Sequence, residues 1–198
     1  MTRRNTEGRV LVELLALLAG SSLLLLLAAH NLLPSAGRRS VDAAARGLCG
    51  RFRALAHRAM AEGRELGLLF PRAGDEPLRE VSDGDGDGLS RSDVEAGRDS
   101  AGPAFNLATD FPGVRVGRPP WPSIPEPPPG GDRLRPSDPV VRFGRSRMAT
   151  FDGEGHANPG SVFVTDGVSA LCAVVVAGPT TRVRTWCYDQ QAGSWRRR

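Results

Sequence analysis

An apolar run of 20 residues, 14–33, constrains this chain more than any other feature. As a helix the run measures about 30 Å, which matches the hydrocarbon core of a bilayer. Glu13 stands directly before it. A carboxylate in hydrocarbon costs about 2.5–3.5 kcal/mol on insertion scales, so an acid in such a helix usually has a charged partner and a function. The run predicts a transmembrane helix over 9–33 whose acid takes part in an interaction.

Three interpretations of the N-terminus compete. A cleaved secretory signal has an apolar region of about 7–15 residues followed by a small-residue cleavage site, and residues 32–37 offer only a fair one. A plain membrane anchor explains the length of the run but not Glu13. A leader over 1–8 that is cut after Gly8 explains the acid and the two arginines that precede the glycine.

The third interpretation resembles the class III signal of type IV pilins and type II secretion pseudopilins. The resemblance implies that a prepilin peptidase cuts between Gly8 and Arg9 and methylates the new N-terminus. Glu13 is then the fifth residue of the mature chain, which in this family neutralises the N-terminal amine of a neighbouring subunit. The family usually has Phe after the glycine, where this chain has Arg9.

Apolar residues recur at three- and four-residue spacing after residue 40, with arginines between them. This pattern predicts an amphipathic helix over 34–69 that continues the first helix and packs on a sheet. The expected fold class is α+β and pilin-like. Its long N-terminal helix, with a membrane-spanning half and an amphipathic half, packs on an antiparallel β-sheet head at 70–198. Short strands are predicted near 66–70, 78–81, 140–143, 148–151, 161–165, 170–176 and 182–186.

Alternating acids at Asp83, Asp85 and Asp87 are typical of the first half of an EF-hand calcium loop. The twelfth position, which should hold a bidentate Glu, is Val94, and Asp93 stands beside it. The acids therefore indicate either a weak Ca²⁺ site, with Asp93 as the fourth acid, or a solvated turn closed by Asx hydrogen bonds.

Nine prolines fall within 119–139. Such a segment is predicted to be an extended, mobile loop, which Trp121 anchors to the head.

The last hairpin turns at 178–181, so that residue numbers in opposed pairs add to 359. Cys172 then faces Cys187 on one side of the sheet, close enough for a disulfide in an oxidising compartment. The alternative is two small buried thiols. Cys49 remains without a predicted partner.

The same register places Arg182 and Arg184 with Trp186 on the opposite side of that hairpin. The chain ends in Arg196, Arg197 and Arg198. These arginines form either a solvated face or a basic patch that contacts phosphates while the aromatic ring stacks on a base.

The order of these segments resembles the GspH/FimT pseudopilin family. The matching pieces are the Asp/Gly-rich loop at 83–88, then Phe-Asp-Gly-Glu-Gly at 151–155, Pro-Gly-Ser-Val-Phe-Val at 159–164, and Thr-Arg-Val-Arg at 181–184. The family has a Gly-Arg-x-Arg signature at the last place, which helps bind DNA in members that take up DNA. Here Thr181 replaces its glycine.

The resemblance implies a minor pseudopilin that initiates or caps a type II secretion pseudopilus or a type IV pilus. Its partners would be other pilins or pseudopilins, the prepilin peptidase and the bacterial inner membrane, with a single pass and the head in the periplasm. The alternatives are a DNA-binding minor pilin for natural transformation and an exported protein with an uncleaved anchor. The three histidines are scattered, no catalytic constellation is visible, and no enzymatic activity is predicted.

Overall fold

A computed structural model describes residues 4–72 and 77–198, without the side chains of 4–9, 26–36 and 179. The chain divides into two compact units, Met1–Ala36 and Gly37–Arg198. The helices are α1 (Arg4–Glu62), α2 (Arg91–Ala96) and α3 (Leu107–Asp110). The strands are β1 (Leu66–Leu69), β2 (Leu78–Ser82), β3 (Ser100–Phe105), β4 (Arg115–Val116), β5 (Ile124–Pro125), β6 (Arg133–Leu134), β7 (Met148–Phe151), β8 (Gly160–Thr165), β9 (Leu171–Ala177), β10 (Arg182–Asp189) and β11 (Ser194–Arg197).

The first unit contains the N-terminal part of α1. Side chains over 10–25 are exposed, including leucines and valines that are 53–71% accessible. The hydroxyl groups of Ser21 and Ser22 donate to the carbonyl oxygen of Leu18, so these polar groups are satisfied within the helix.

The predicted fold class, with a membrane-spanning N-terminal half, is wrong. Among the described residues, no helix combines the length and the apolar character needed to cross a membrane. Residues 26–33 of the expected span lie outside the described side chains. A single-pass inner-membrane location, which rested on the span, has no support in the described structure.

In the second unit, α1 buries one face at the predicted spacing. Val41, Ala44, Leu48, Phe52 and Leu55 are all at most 1% exposed. The helix ends at Glu62, seven residues before the predicted limit of 69, and Gly63 follows it with a φ of 65°. A left-handed backbone at glycine ends a helix readily, and it lets β1 begin at Leu66.

Two antiparallel sheets pack around this helix face. The first sheet has the order β3-β2-β1-β7, and the second sheet has the order β11-β10-β9-β8-β4. Phe52 lies between them, with its ring centroid 5.8–6.3 Å from those of Phe70, Phe143 and Phe151. The main hydrophobic core therefore lies between α1 and the inner faces of the sheets.

The outer face of the second sheet carries a smaller core. Phe163, Leu171 and Ala173 pack there with Ile124 and Leu134 from the proline-rich segment. That segment forms the β5–β6 hairpin, and the Trp195 indole donates to the Pro125 carbonyl oxygen at 2.8 Å. The proline-rich segment is thus a packed layer on the second sheet, where the sequence predicted a mobile loop.

Candidate functional site

The N-terminal motif lies in α1. Gly8 and Arg9, the predicted cleavage position, have no described side chains, so this prediction lies outside the described residues. Glu13 is exposed and has an interaction partner within the chain. Its neighbours Val12 and Leu14 are 64% and 53% accessible, so the acid sits within an exposed apolar surface over 10–25.

The predicted disulfide is confirmed. Cys172 and Cys187 are directly opposed on β9 and β10, and their sulfur atoms are bonded. The Asp42 carboxylate of α1 lies 3.6 Å from the Cys187 sulfur. Cys49 is buried, with its sulfur 3.9 Å from the Val183 carbonyl oxygen. Asp42 was not among the predicted site residues; the signal for it in the sequence is an acid directly after Val41, at the start of the apolar face of the helix.

The C-terminal arginines do not form one patch. In the β10–β11 register, Trp186 faces Arg197 and Cys187 faces Arg196. Because side chains alternate along a strand, Arg197 lies on the outer face and Arg196 on the inner face. Arg196 pairs with Asp189 at 2.8 Å, and Arg198 lies 3.7 Å from Asp42.

Arg182, Arg184, Trp186 and Arg197 make up what we call the arginine face, on the outer side of β10 and β11. Arg182 is exposed, and Arg184 and Trp186 are half-buried. Two donors in this face, Arg184 Nε and Trp186 Nε1, are buried without a hydrogen-bond partner among the described residues. A buried donor without a hydrogen-bond partner costs about 1–3 kcal/mol of stability.

The acidic loop brings three of its four predicted ligands together. Asp83, Asp85 and Asp87 each place a carboxylate oxygen within 4.8 Å of the others. Asp87 is fully exposed, and its pKa is raised because its carboxyl group shares a hydrogen bond with Asp85 beside further acids. The backbone N–H groups of Gly86 and Gly88 donate to Asp83, which is the Asx-closed turn that the sequence offered as the alternative.

Asp93 does not join that cluster. Its carboxylate is buried at the start of α2, where it pairs with Arg98 and bonds to the Ser90 hydroxyl. Asp99, which the sequence analysis missed, accepts from the backbone N–H groups of Gly84 and Ser90 and so closes the loop. Calcium binding by the remaining three acids stays a prediction.

Comparisons with known proteins returned no relative. No family model, no curated protein and no solved structure matches this chain.

Proposed function

We propose that this chain is a minor pseudopilin, a structural subunit that initiates or caps a type II secretion pseudopilus or a type IV pilus. The observation that carries the proposal is the exposed apolar surface of α1 over 10–25, with Glu13 inside it. A contiguous apolar surface of this kind marks an interaction site, because leaving it in water is unfavourable.

Helices of neighbouring subunits are the partners that fit this surface. In the second unit, α1 already buries its apolar face against its own sheets, so the first unit holds the part left for other chains. Packing of apolar helices around Glu13 would desolvate the carboxylate, and a desolvated carboxylate favours a cation beside it in addition to the contact that Glu13 makes within its own chain. The N-terminal amine that prepilin peptidase would expose after Gly8 supplies that charge.

The disulfide supports a location for the second unit outside the cytoplasm. Structural disulfides persist in oxidising compartments such as the periplasm and are rare in the cytosol. The bond between Cys172 and Cys187 is largely buried, with both residues at most 9% exposed, which is typical of a structural disulfide.

Incorporation of Glu13 variants into filaments tests the proposal. We expect Glu13→Ala to abolish incorporation, Glu13→Asp to retain part of it, and the matched surface change Glu154→Ala to leave it intact. Glu154 is 85% exposed at its side chain and lies in the second unit. Mass spectrometry of the recovered chain should find an N-terminus at methylated Arg9. Full incorporation of Glu13→Ala, together with an uncut N-terminus, would remove the basis of the proposal.

A second function, DNA binding for natural transformation, is favoured by the arginine face. Arg182 and Arg197 are exposed on this face and Arg184 is half-buried beside them, so the face presents positive charge to phosphate groups. Each phosphate contact contributes roughly 0.9 to the slope of log affinity against log salt concentration.

Gel-shift titrations of residues 37–198 over a range of salt concentrations test this second function. We expect Arg182→Ala with Arg184→Ala to lower the salt slope by about 2, since two phosphate contacts are lost. The control, Arg79→Ala with Arg145→Ala, removes the same charge from two exposed arginines elsewhere and should change the slope little. Equal slopes for the two double variants would exclude a specific role for the arginine face.

A further inference from the structure

A cleft of about 500 Å³ opens where the proline-rich segment meets the second sheet. We call it the arginine cleft, because Arg115, Arg118 and Arg135 line it together with Trp121, Ile124 and Leu171. None of the described residues that line it is an acid. The cleft is therefore a positively charged concavity of the size that small organic ligands occupy.

Arg118 holds the wall of the cleft in place. Its Nη2 atom donates to the carbonyl oxygens of Arg135 and Asp138, at 2.6 Å each. Burial lowers the pKa of this guanidinium group, and the nearby Asp138 carboxylate opposes that shift. Because its Nη2 atom is engaged by backbone carbonyl oxygens of the proline-rich segment, Arg118 serves to position that segment.

Arg115 and Arg135 differ from Arg118, because both side chains are exposed and neither guanidinium group has a hydrogen-bonding or ionic partner in the described part of the chain. The Arg115 guanidinium lies directly over Gly167. A Cβ atom built on Gly167 would come within 2.6 Å of Arg115 Nη2, and the glycine has a φ of 82°. Glycine therefore leaves space for this guanidinium against the cleft wall.

The rest of the cleft is apolar and fixed. Leu171 is 1% exposed and Ile124 is 8% exposed. The Trp121 indole donates to the Val168 carbonyl oxygen at 3.1 Å, and its ring centroid lies 5.9 Å from that of Tyr188. The Trp121 ring is thus held at its N–H group and packed beside the Tyr188 ring, and it offers an apolar surface to a flat ligand.

We propose that the arginine cleft binds a small organic anion, whose carboxylate or phosphate group is held by Arg115 and Arg135 and whose apolar body packs on Trp121 and Ile124. Guanidinium groups match the planar, bidentate geometry of carboxylate and phosphate oxygens. Two cations that line one cleft without a partner in the described part of the chain gain more binding free energy from an added anion than arginines that are already paired. This site is independent of the pseudopilin proposal, since it lies wholly in the second unit and uses none of the arginine face.

Calorimetric titration of the full-length chain with four probes tests the site: 1-naphthyl phosphate, 1-naphthaleneacetate, 1-naphthol and inorganic phosphate. We expect both naphthyl anions to bind at least tenfold more tightly than 1-naphthol and inorganic phosphate. The tighter of the two anions identifies the charged group that the cleft selects. Equal affinity for 1-naphthol would overturn the role of the arginines, and equal affinity for inorganic phosphate would overturn the role of the apolar wall.

Matched double variants locate the binding. Arg115→Ala with Arg135→Ala should weaken the preferred anion at least tenfold, and the corresponding Lys double variant should recover part of that loss. Arg79→Ala with Arg145→Ala removes the same net charge and should change the affinity less than twofold. Circular dichroism checks that each variant is folded. If both alanine double variants lose affinity equally, or if no naphthyl anion binds the wild-type chain, the proposal is wrong.

Discussion

Reduction of the bond between Cys172 and Cys187 removes a covalent link that closes a loop of 15 residues. In the chain-entropy description, a link across a loop of this length restricts the unfolded chain by about 3 kcal/mol at 25 °C. Both cysteines are largely buried, and their thiols would fill nearly the same space after reduction. We therefore expect the loss of stability to arise mainly in the unfolded state.

The magnitude is large for a domain of this size. For 150–250 residues, 1 kcal/mol shifts the melting temperature by roughly 2–4 °C, so reduction should lower it by about 6–12 °C. The Asp42 carboxylate, 3.6 Å from the Cys187 sulfur, could accept a hydrogen bond from the reduced thiol. Reduction of the wild-type chain should therefore lower the free energy of unfolding somewhat less than the double substitution Cys172→Ala with Cys187→Ala does.

Urea unfolding of residues 37–198, followed by tryptophan fluorescence with and without a reductant, measures both losses. The alanine double variant is the control, because its unfolding should not respond to the reductant. A difference below about 1 kcal/mol between oxidised and reduced wild-type protein would refute the loop-closure argument. A response of the double variant would show that the reductant acts elsewhere.

Three further predictions concern the two cores and one acidic turn. Phe52→Ala should destabilise the second unit by about 3–5 kcal/mol, because Phe52 is fully buried among three other rings, and Phe52→Leu should cost less in the same urea titration. Trp195→Phe should lower the free energy of unfolding by about 0.5–1.5 kcal/mol, because it removes the hydrogen bond to the Pro125 carbonyl oxygen. The same substitution should speed limited proteolysis within 119–136. Burial alone would raise the pKa of Asp166, but hydrogen bonds from the Ser169 hydroxyl and from three backbone N–H groups lower it overall. A carboxyl group with a lowered pKa in the folded state stabilises the fold above its ordinary pKa of 3.8, and this stability is lost as the pH falls through the folded-state pKa. In thermal melts, the difference in melting temperature between wild type and Asp166→Asn should therefore shrink below about pH 4.

Local patterns predicted the parts of this fold that depend on few residues. The register of β9 and β10 followed from the position of one turn, and the structure has the predicted opposition of Cys172 with Cys187. The buried face of α1 from Val41 onward followed from helical periodicity alone. In both cases the determining residues are close in sequence.

The missed features depend on contacts distant in sequence. β3, at Ser100–Phe105, contains glycine and proline and shows no strand pattern, yet it pairs with β2. The packing of the proline-rich segment depends on Trp195, some 70 residues away from Pro125. Asp99, not Asp93, closes the acidic loop because the chain returns to Gly84 after α2.

The membrane prediction failed for a different reason. The prediction rested on the hydropathy of residues 14–33, whereas no helix in the described part of the chain has the length and apolar character of a membrane span. The arginine cleft could not be predicted either, because Arg115 and Arg135 come to line one cleft only through the packing of the proline-rich segment on the second sheet.

The second sheet has a hydrophobic layer on each side, and this has a practical consequence for protein engineering. Residues of β9 alternate between the two layers, with Cys172 and Val174 toward α1 and Leu171 and Ala173 toward the proline-rich segment. Proline-rich stretches are common places to shorten a protein or to insert an affinity tag. Here such a change would expose Phe163 and Leu171 and leave the outer face of the sheet with a hydrophobic surface that promotes aggregation. A tag is better placed at the exposed turn around Gly193, between β10 and β11.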